Sequence, residues 1–158
     1  MQGKEEIKFS MNFFLSFFIV LIDQLSKTLV HAKMNLYDSF NVIPFLLDFT
    51  YIRNEGIAFG INFPGGKIFF IVFPILITLY MISLLKSEEF QDNASQIALF
   101  LIIGGAIGNI LDRIFRGYVV DFIDFHINGA HWYIFNIADS SVTIGLLFLL
   151  YSSILIKK

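Results

Sequence analysis

Four aspartates of this chain stand where carboxylates are costly: Asp23, Asp112, Asp121 and Asp139 each lie inside or close to a long uncharged run. In FNIADSSVTIGLLFLLY, residues 135–151, Asp139 heads such a run and Asn136 stands just before it. A charge at the edge of hydrocarbon usually faces a protein interior and serves a function. Two carboxylates brought together cannot both ionise easily, so they tend to share a proton. One then acts as a base toward water and the other as an acid. That is the acid–base equipment for peptide hydrolysis without a metal. Other chemistries lack their parts. Cysteine is absent, which removes disulfides, thiolate catalysis and Cys-ligated zinc. No GxSxG motif is present to form a serine-hydrolase elbow. HExxH is absent too, and the isolated His126 and His131 read as rim residues of a surface loop. No metal and no cofactor is expected.

The elements that must carry these residues are membrane spans. Of 158 residues, 56% are hydrophobic, twenty are Phe and only 15% are charged, against about 45–50% apolar and about 25% charged in a soluble domain. The length suits one domain spanning 1–158. A net charge of −2 offers no basic footprint, so nucleic acid is not an expected partner. The expected fold class is a mainly α membrane protein. Four transmembrane helices cover approximately 9–30, 68–85, 94–115 and 139–156, each close to the length a bilayer requires. The first could be a cleaved signal peptide, since Val30-His31-Ala32 resembles a small-x-small site, but Asp23 and Lys27 fit poorly between an apolar core and such a site. An uncleaved helix is the better reading.

Four spans put both termini on one side. Lys4, Lys8, Lys86, Lys157 and Lys158 fall on that side, and Lys33, Arg53, Lys67 and Arg116 on the other. The small excess places the termini in the cytoplasm. Outer segments then cover 31–67 and 116–138. In the first, DFTYIR is β-prone and Asn54-Glu55-Gly56 has turn chemistry, so a small β-rich element is expected between helices 1 and 2. The second is rich in aromatics, with Trp132 and Tyr133 as interface anchors.

Helix rise now sets depths. Counted from the inner ends of their spans, Asp23 lies about 21 Å up, Asn109 about 22 Å, Asp139 about 25 Å and Asp112 about 27 Å. Asp121 follows shortly after the third span. Polar residues from three helices thus meet at one level, and a polar site is expected to open at the outer face. Simpler roles remain open for each residue. Asp23 and Lys27 are i, i+4 and can form an intrahelical pair. Asp112 and Arg113 can pair with other elements or mark a helix end. Gly104, Gly105 and Gly108 suit close helix packing. Asn136 and Asp139 suit helix capping.

DQLSK at 23–27, NEGIAF at 54–59, GNILDR at 108–113 with VVDFI at 119–123, and FNIAD at 135–139 resemble the ordered signature blocks of the lipoprotein signal peptidase (signal peptidase II) family. The blocks follow the family's order and spacing from the first helix to the last. The resemblance implies an aspartyl intramembrane endopeptidase of the bacterial plasma membrane. Its substrate would be a prolipoprotein whose lipobox Cys carries diacylglyceryl, cut just before that Cys. By the same match Asp121 and Asp139 are the catalytic pair. Asn54, Gly56, Asn109, Arg113 and Asn136 line the substrate or inhibitor site, and Asp23, Lys27, Asp112, Gly108 and Ala138 support it. Implied partners are the lipidated precursor, membrane lipid and cyclic peptide antibiotics such as globomycin. The rival reading is a small transporter or channel subunit, since intramembrane Asp, Asn and Arg also build ion pathways. Against it, the polar residues cluster at one face, and a pathway needs both. A GxGD-type intramembrane protease is unsupported, because GxGD does not occur.

Overall fold

The computed structural model describes residues 2–56, 66–127 and 129–156. Residues 57–59 of the NEGIAF block and the terminal Lys157 and Lys158 lie outside the described residues. Helix α1 runs Gln2–Lys33, α2 Gly66–Leu84, α3 Asn93–Phe115 and α4 Ile137–Tyr151, the last continued by a π-turn over Ser152–Ile156. A short 3₁₀ turn, Glu88–Phe90, joins α2 to α3. Three helical stretches, Asn12–Lys33, Asn93–Phe115 and Ile137–Ile154, are long and apolar enough to cross a bilayer. The apolar part of α2, Ile68–Leu84, is shorter. The chain is thus mainly helical, with a small sheet.

Helix α3 is the central one, packing against α1, α2 and α4. Its glycines make this possible. A Cβ on Gly104 would stand 3.0 Å from the Ser16 Cα of α1, and one on Gly105 would overlap the Ala138 carbonyl oxygen of α4. A Cβ on Gly108 would come within 2.6 Å of Asp23 Oδ2. Close backbone approach of this kind is how helices associate where lipid replaces water as the competing solvent. Hydroxyls add directional bonds: Ser16 Oγ donates to Phe100 O at 2.6 Å and Ser141 Oγ to Leu101 O at 2.9 Å. The outward faces carry large apolar side chains instead, such as Phe13, Phe17 and Leu25 on α1, Phe73, Leu76 and Leu79 on α2, and Leu147 and Leu150 on α4. Exposure of that kind suits a hydrocarbon surround.

The sheet is larger than the sequence suggested. Strands β1 (Ser39–Ile43) and β2 (Leu47–Asn54) form the expected element between α1 and α2, but β3 (Val119–Ile127) and β4 (Ala130–His131) come from the second outer segment. All four are ordered β1-β2-β3-β4, and neighbours are antiparallel. Alternation is hidden in β3 because its first half is buried on both faces. On one face Val120 and Phe122 join Val30 of α1 and Tyr51 of β2 in the apolar core under the sheet. The opposite face carries Asp121.

Candidate active site

Two backbone devices bring Asp121 and Asp139 together. After β4 the chain returns alongside β3: Phe135 N–H donates to Ile123 O at 3.1 Å, and Phe135 O accepts from Ile123 N–H at 2.8 Å. That clamp delivers the next residue, Asn136, to Asp121. Asn136 is also the N-cap of α4. Its Oδ1 accepts from Asp139 N–H at 2.9 Å, and its own N–H donates to Asp139 Oδ2 at 3.3 Å, closing a capping box. Satisfying a helix's free N–H groups in this way is the ordinary role of Asn and Asp there. Here the cap has a second use, because Asn136 Nδ2 donates to Asp121 Oδ1 at 2.6 Å.

Asn109 of α3 completes the bridge. Its Nδ2 donates to Asp139 Oδ1 at 2.7 Å, while its Oδ1 accepts from Asn136 Nδ2 at 3.2 Å and from Lys27 Nζ at 2.8 Å. The two carboxylates are therefore held by a pair of amides that leave little freedom of rotation. Asn54 of β2 covers the other oxygen of Asp121, its Nδ2 donating to Oδ2 at 3.1 Å and to the Tyr133 hydroxyl at 2.8 Å. Asn54 Oδ1 accepts from Gly56 N–H at 2.9 Å. Gly56 has φ +91°, and a Cβ there would meet the Phe70 ring at 2.5 Å, so both its conformation and its surroundings favour glycine.

Beneath this layer lies a buried charge cluster. Lys27 pairs with Asp23 at 2.9 Å and with Asp112 at 3.3 Å, all three side chains fully buried. Asp23 Oδ1 accepts from the Ala138 N–H at 2.9 Å, tying α1 to the first turn of α4. Asp112 accepts from Gln24 Nε2 at 3.1 Å, from the Val120 N–H at 3.0 Å and from Arg116. Two carboxylates thus face two cations. Removing one partner of such a buried set leaves an uncompensated charge, which costs about 3–5 kcal/mol. The Asp23–Lys27 intrahelical pair exists as expected, but it also links three helices. Asp112 pairs with α1, β3 and Arg116, whereas the adjacent Arg113 turns to the site.

Asp121 is fully buried. Burial, and next the charge of Asp139, push its carboxyl up to about 7; the hydrogen bonds from Asn54 and Asn136 pull the other way. Burial, then the same two carboxylates, also raise the Tyr133 hydroxyl. Asn54, Gly56, Asn109, Arg113, Tyr133 and Asp139 line a cavity of about 260 Å³. Arg113 NH1 donates to Asn109 O at 3.3 Å, and its buried Nε–H has no hydrogen-bond partner among the described residues. A cation lining the cavity beside two carboxylates can orient a polar substrate group.

The residues assigned by the resemblance to catalysis, binding and support lie together in this region, whereas Gly104 packs against Ser16 further along α3 and the histidines pair with Asp48 and Asp124. Three contributors were missed. Gln24 and Arg116 brace Asp112, and Tyr133, read only as an interface anchor, bonds Asn54. Tyr133 lies two residues before FNIAD, and that proximity was the available signal. The histidines need a correction. His131 is half-exposed and bonds Asp124 at 2.9 Å, but His126 is buried, with Nε2 3.3 Å from Asp48. It shares the inner face of β3 with Asp124, so it is no rim residue.

The sequence profile of Signal peptidase (SPase) II matches residues 15–155. The lipoprotein signal peptidase of Staphylococcus haemolyticus (strain JCSC1435) is 38% identical over 148 residues, covering 93% of this chain and 92% of that one. Its counterpart in Staphylococcus aureus (strain JH9) is 40% identical over 136 residues, 86% and 83% of the two chains. A bacterial membrane enzyme solved by the in meso method at 1.9 Å superposes with a TM-score of 0.85 at 37% identity, covering 92% of this chain and 94% of its own. A second, solved at 2.3 Å, gives 0.81 at 38% identity, with 92% and 90% coverage. Family profile, relatives and solved folds agree along nearly the whole length, and the chain belongs to the signal peptidase II family of membrane peptidases.

Proposed function

We propose that this protein removes the signal peptide from diacylglyceryl-modified prolipoproteins by aspartyl catalysis at the outer face of the bacterial plasma membrane. The observation that carries the reading is the pair of Asp121 and Asp139 bridged by the Asn136 and Asn109 amides. Asp121 enters the cycle protonated and Asp139 enters as the anion, with the Asn136 N–H at its Oδ2 and the α4 dipole favouring negative charge. Asp139 takes a proton from water, and the hydroxide oxygen bonds to the scissile carbonyl carbon. Asp121 gives its proton to the carbonyl oxygen. Collapse reverses both transfers: Asp121 takes back the hydroxyl proton, Asp139 protonates the departing nitrogen, and the C–N bond breaks. The pair returns to its starting protonation. Asn109 and Asn136 hold the carboxylates in register, which matters because positioning supplies much of such a barrier reduction.

All four helices cross the bilayer in this reading, α2 with some local thinning to match its shorter apolar stretch. Both termini are cytoplasmic. The substrate's lipid stays in the outer leaflet and its signal helix in the membrane, so the scissile bond arrives at the level of Asp139. Cyclic peptide antibiotics such as globomycin would compete for the same cavity. The deciding experiment is cleavage of a lipidated precursor by the purified protein, with an unlipidated precursor as control. Release of the signal peptide from the lipidated form alone, blocked by globomycin, is the expected result. No cleavage of either by well-folded protein would remove the proposal.

A further inference from the structure

Asp139 borders two cavities. The polar one holds Asn54, Asn109 and Arg113. The other, about 510 Å³, shares only Asp139 and Tyr133 with it among the described residues. Its walls are Phe125, Trp132 and Phe135 from the outer segment and Ser140, Thr143 and Ile144 from α4. Ser140, Thr143 and Ile144 fall on one helix face by their spacing. The Phe125 and Phe135 rings stack with centroids 6.1 Å apart. Apart from Asp139 the lining is uncharged. Trp132 and Ile144 are exposed, so the groove opens sideways from α4, where hydrocarbon lies if α4 spans the bilayer.

We propose that this groove is the subsite for one acyl chain of the substrate's diacylglyceryl group, with Tyr133 dividing it from the peptide subsite. The proposal rests on the lipoprotein-precursor reading above and deepens it. Whatever fills the groove reaches Asp139, so it is attached close to the scissile bond. Peptide near that bond must be extended to be cut, and its free N–H and C=O groups need partners. The polar cavity has them. The groove has few to spare, since Ser140 Oγ is already committed to Asn136 O at 2.9 Å. A chain with no hydrogen-bonding groups suits these walls. From Asp139 to Ile144 the helix descends about 7.5 Å, away from the outer surface, which is the direction an acyl chain takes from a glyceryl group into its leaflet.

The test compares one precursor carrying two long acyl chains with the same precursor carrying two short ones. Wild-type protein should favour the long-chain form in kcat/KM by about threefold or more, since the chain leaves hydrocarbon rather than water and gains only closer packing against the groove walls. Thr143→Trp and Ile144→Trp, each checked for folding by its melting temperature, should shrink that ratio toward one, through KM for the long-chain form. An unchanged ratio in both folded variants would overturn the proposal. Photo-crosslinking of the uncut precursor on Asp121→Asn protein needs no groove variant. A diazirine at the acyl terminus should label the segment 125–144. Labelling of that segment by a probe in the signal peptide, with none from the acyl probe, would give the groove to the peptide and overturn the assignment. If wild-type protein cleaves no lipidated precursor of either kind, the parent reading has failed, an outcome separate from an altered chain-length preference.

Discussion

Asp121→Asn and Asp139→Asn keep the size of the side chain and one carbonyl acceptor but abolish proton exchange. Each should lower cleavage by about 10²–10⁴-fold while the protein still melts cooperatively in detergent and still binds globomycin. Full activity in either folded variant would dismantle the pair. The charge state gives a second residue-level expectation. Because Asp121 is held up at about 7, it carries its proton below that pH and loses it above. If that proton is the one delivered to the carbonyl, cleavage should decline on the alkaline side of neutrality, provided chemistry limits the rate. Stability carries the same signature. The folded state keeps a proton that the unfolded chain gives up near 3.8, so this group's contribution falls as pH rises from about 4 to about 7 and is constant above. Asp121→Asn should remove that slope, while its NH2, set against a donor of Asn54 or Asn136, lowers melting by an amount independent of pH. Melting temperatures measured from pH 5 to pH 8 on both proteins check the sign.

Among the elements, the α1–α3–α4 junction is the least forgiving. Gly108→Ala would set a methyl 2.6 Å from Asp23 Oδ2 and 3.3 Å from Ala138 Cβ. Relief requires moving Asp23 off Lys27 and off the Ala138 N–H. Overpacking of this kind costs about 1–3 kcal/mol, so a lower melting temperature and reduced cleavage should appear together. A variant with wild-type melting and activity would show the junction to be more pliant than its geometry. The sequence made this junction legible in part. The fixed rise of a helix was enough to bring Asp23, Asn109, Asp112 and Asp139 to one depth, and the glycine-rich stretch of α3 announced close packing. The sheet was half legible. β2 was visible in DFTYIR, but β3 is buried on both faces at its start, so VVDFIDFHI lacks the alternation that marks a strand with one wet face. The bridge from Asn136 to Asp121 depends on the pairing of Phe135 with Ile123, a register between distant strands that no local pattern encodes. The signature blocks named both aspartates without revealing how they are joined.

At the scale of the molecule, orientation is the testable property. Native cysteine is absent, so single cysteines report cleanly. Tyr37→Cys and Trp132→Cys, at residues 75% and 80% exposed, should react with an impermeant thiol reagent in intact spheroplasts. Glu88→Cys, at the turn between α2 and α3, should react only after lysis. The reverse pattern would put the site on the cytoplasmic face. The charge cluster under the site has a further meaning for how the molecule is made. Asp23 waits for the Ala138 N–H, 115 residues later in the chain, and Lys27 for Asn109, 82 residues later. Strand β2 likewise pairs with β3 only after two intervening helices have been synthesised. Early in synthesis Asp23 and Lys27 have each other but lack their partners on α3 and α4, and Asn54 lacks Asp121. In the proposed reading the site is therefore completed only once α4 has docked, and a chain not yet extended through Asp139 holds one member of the pair without the other.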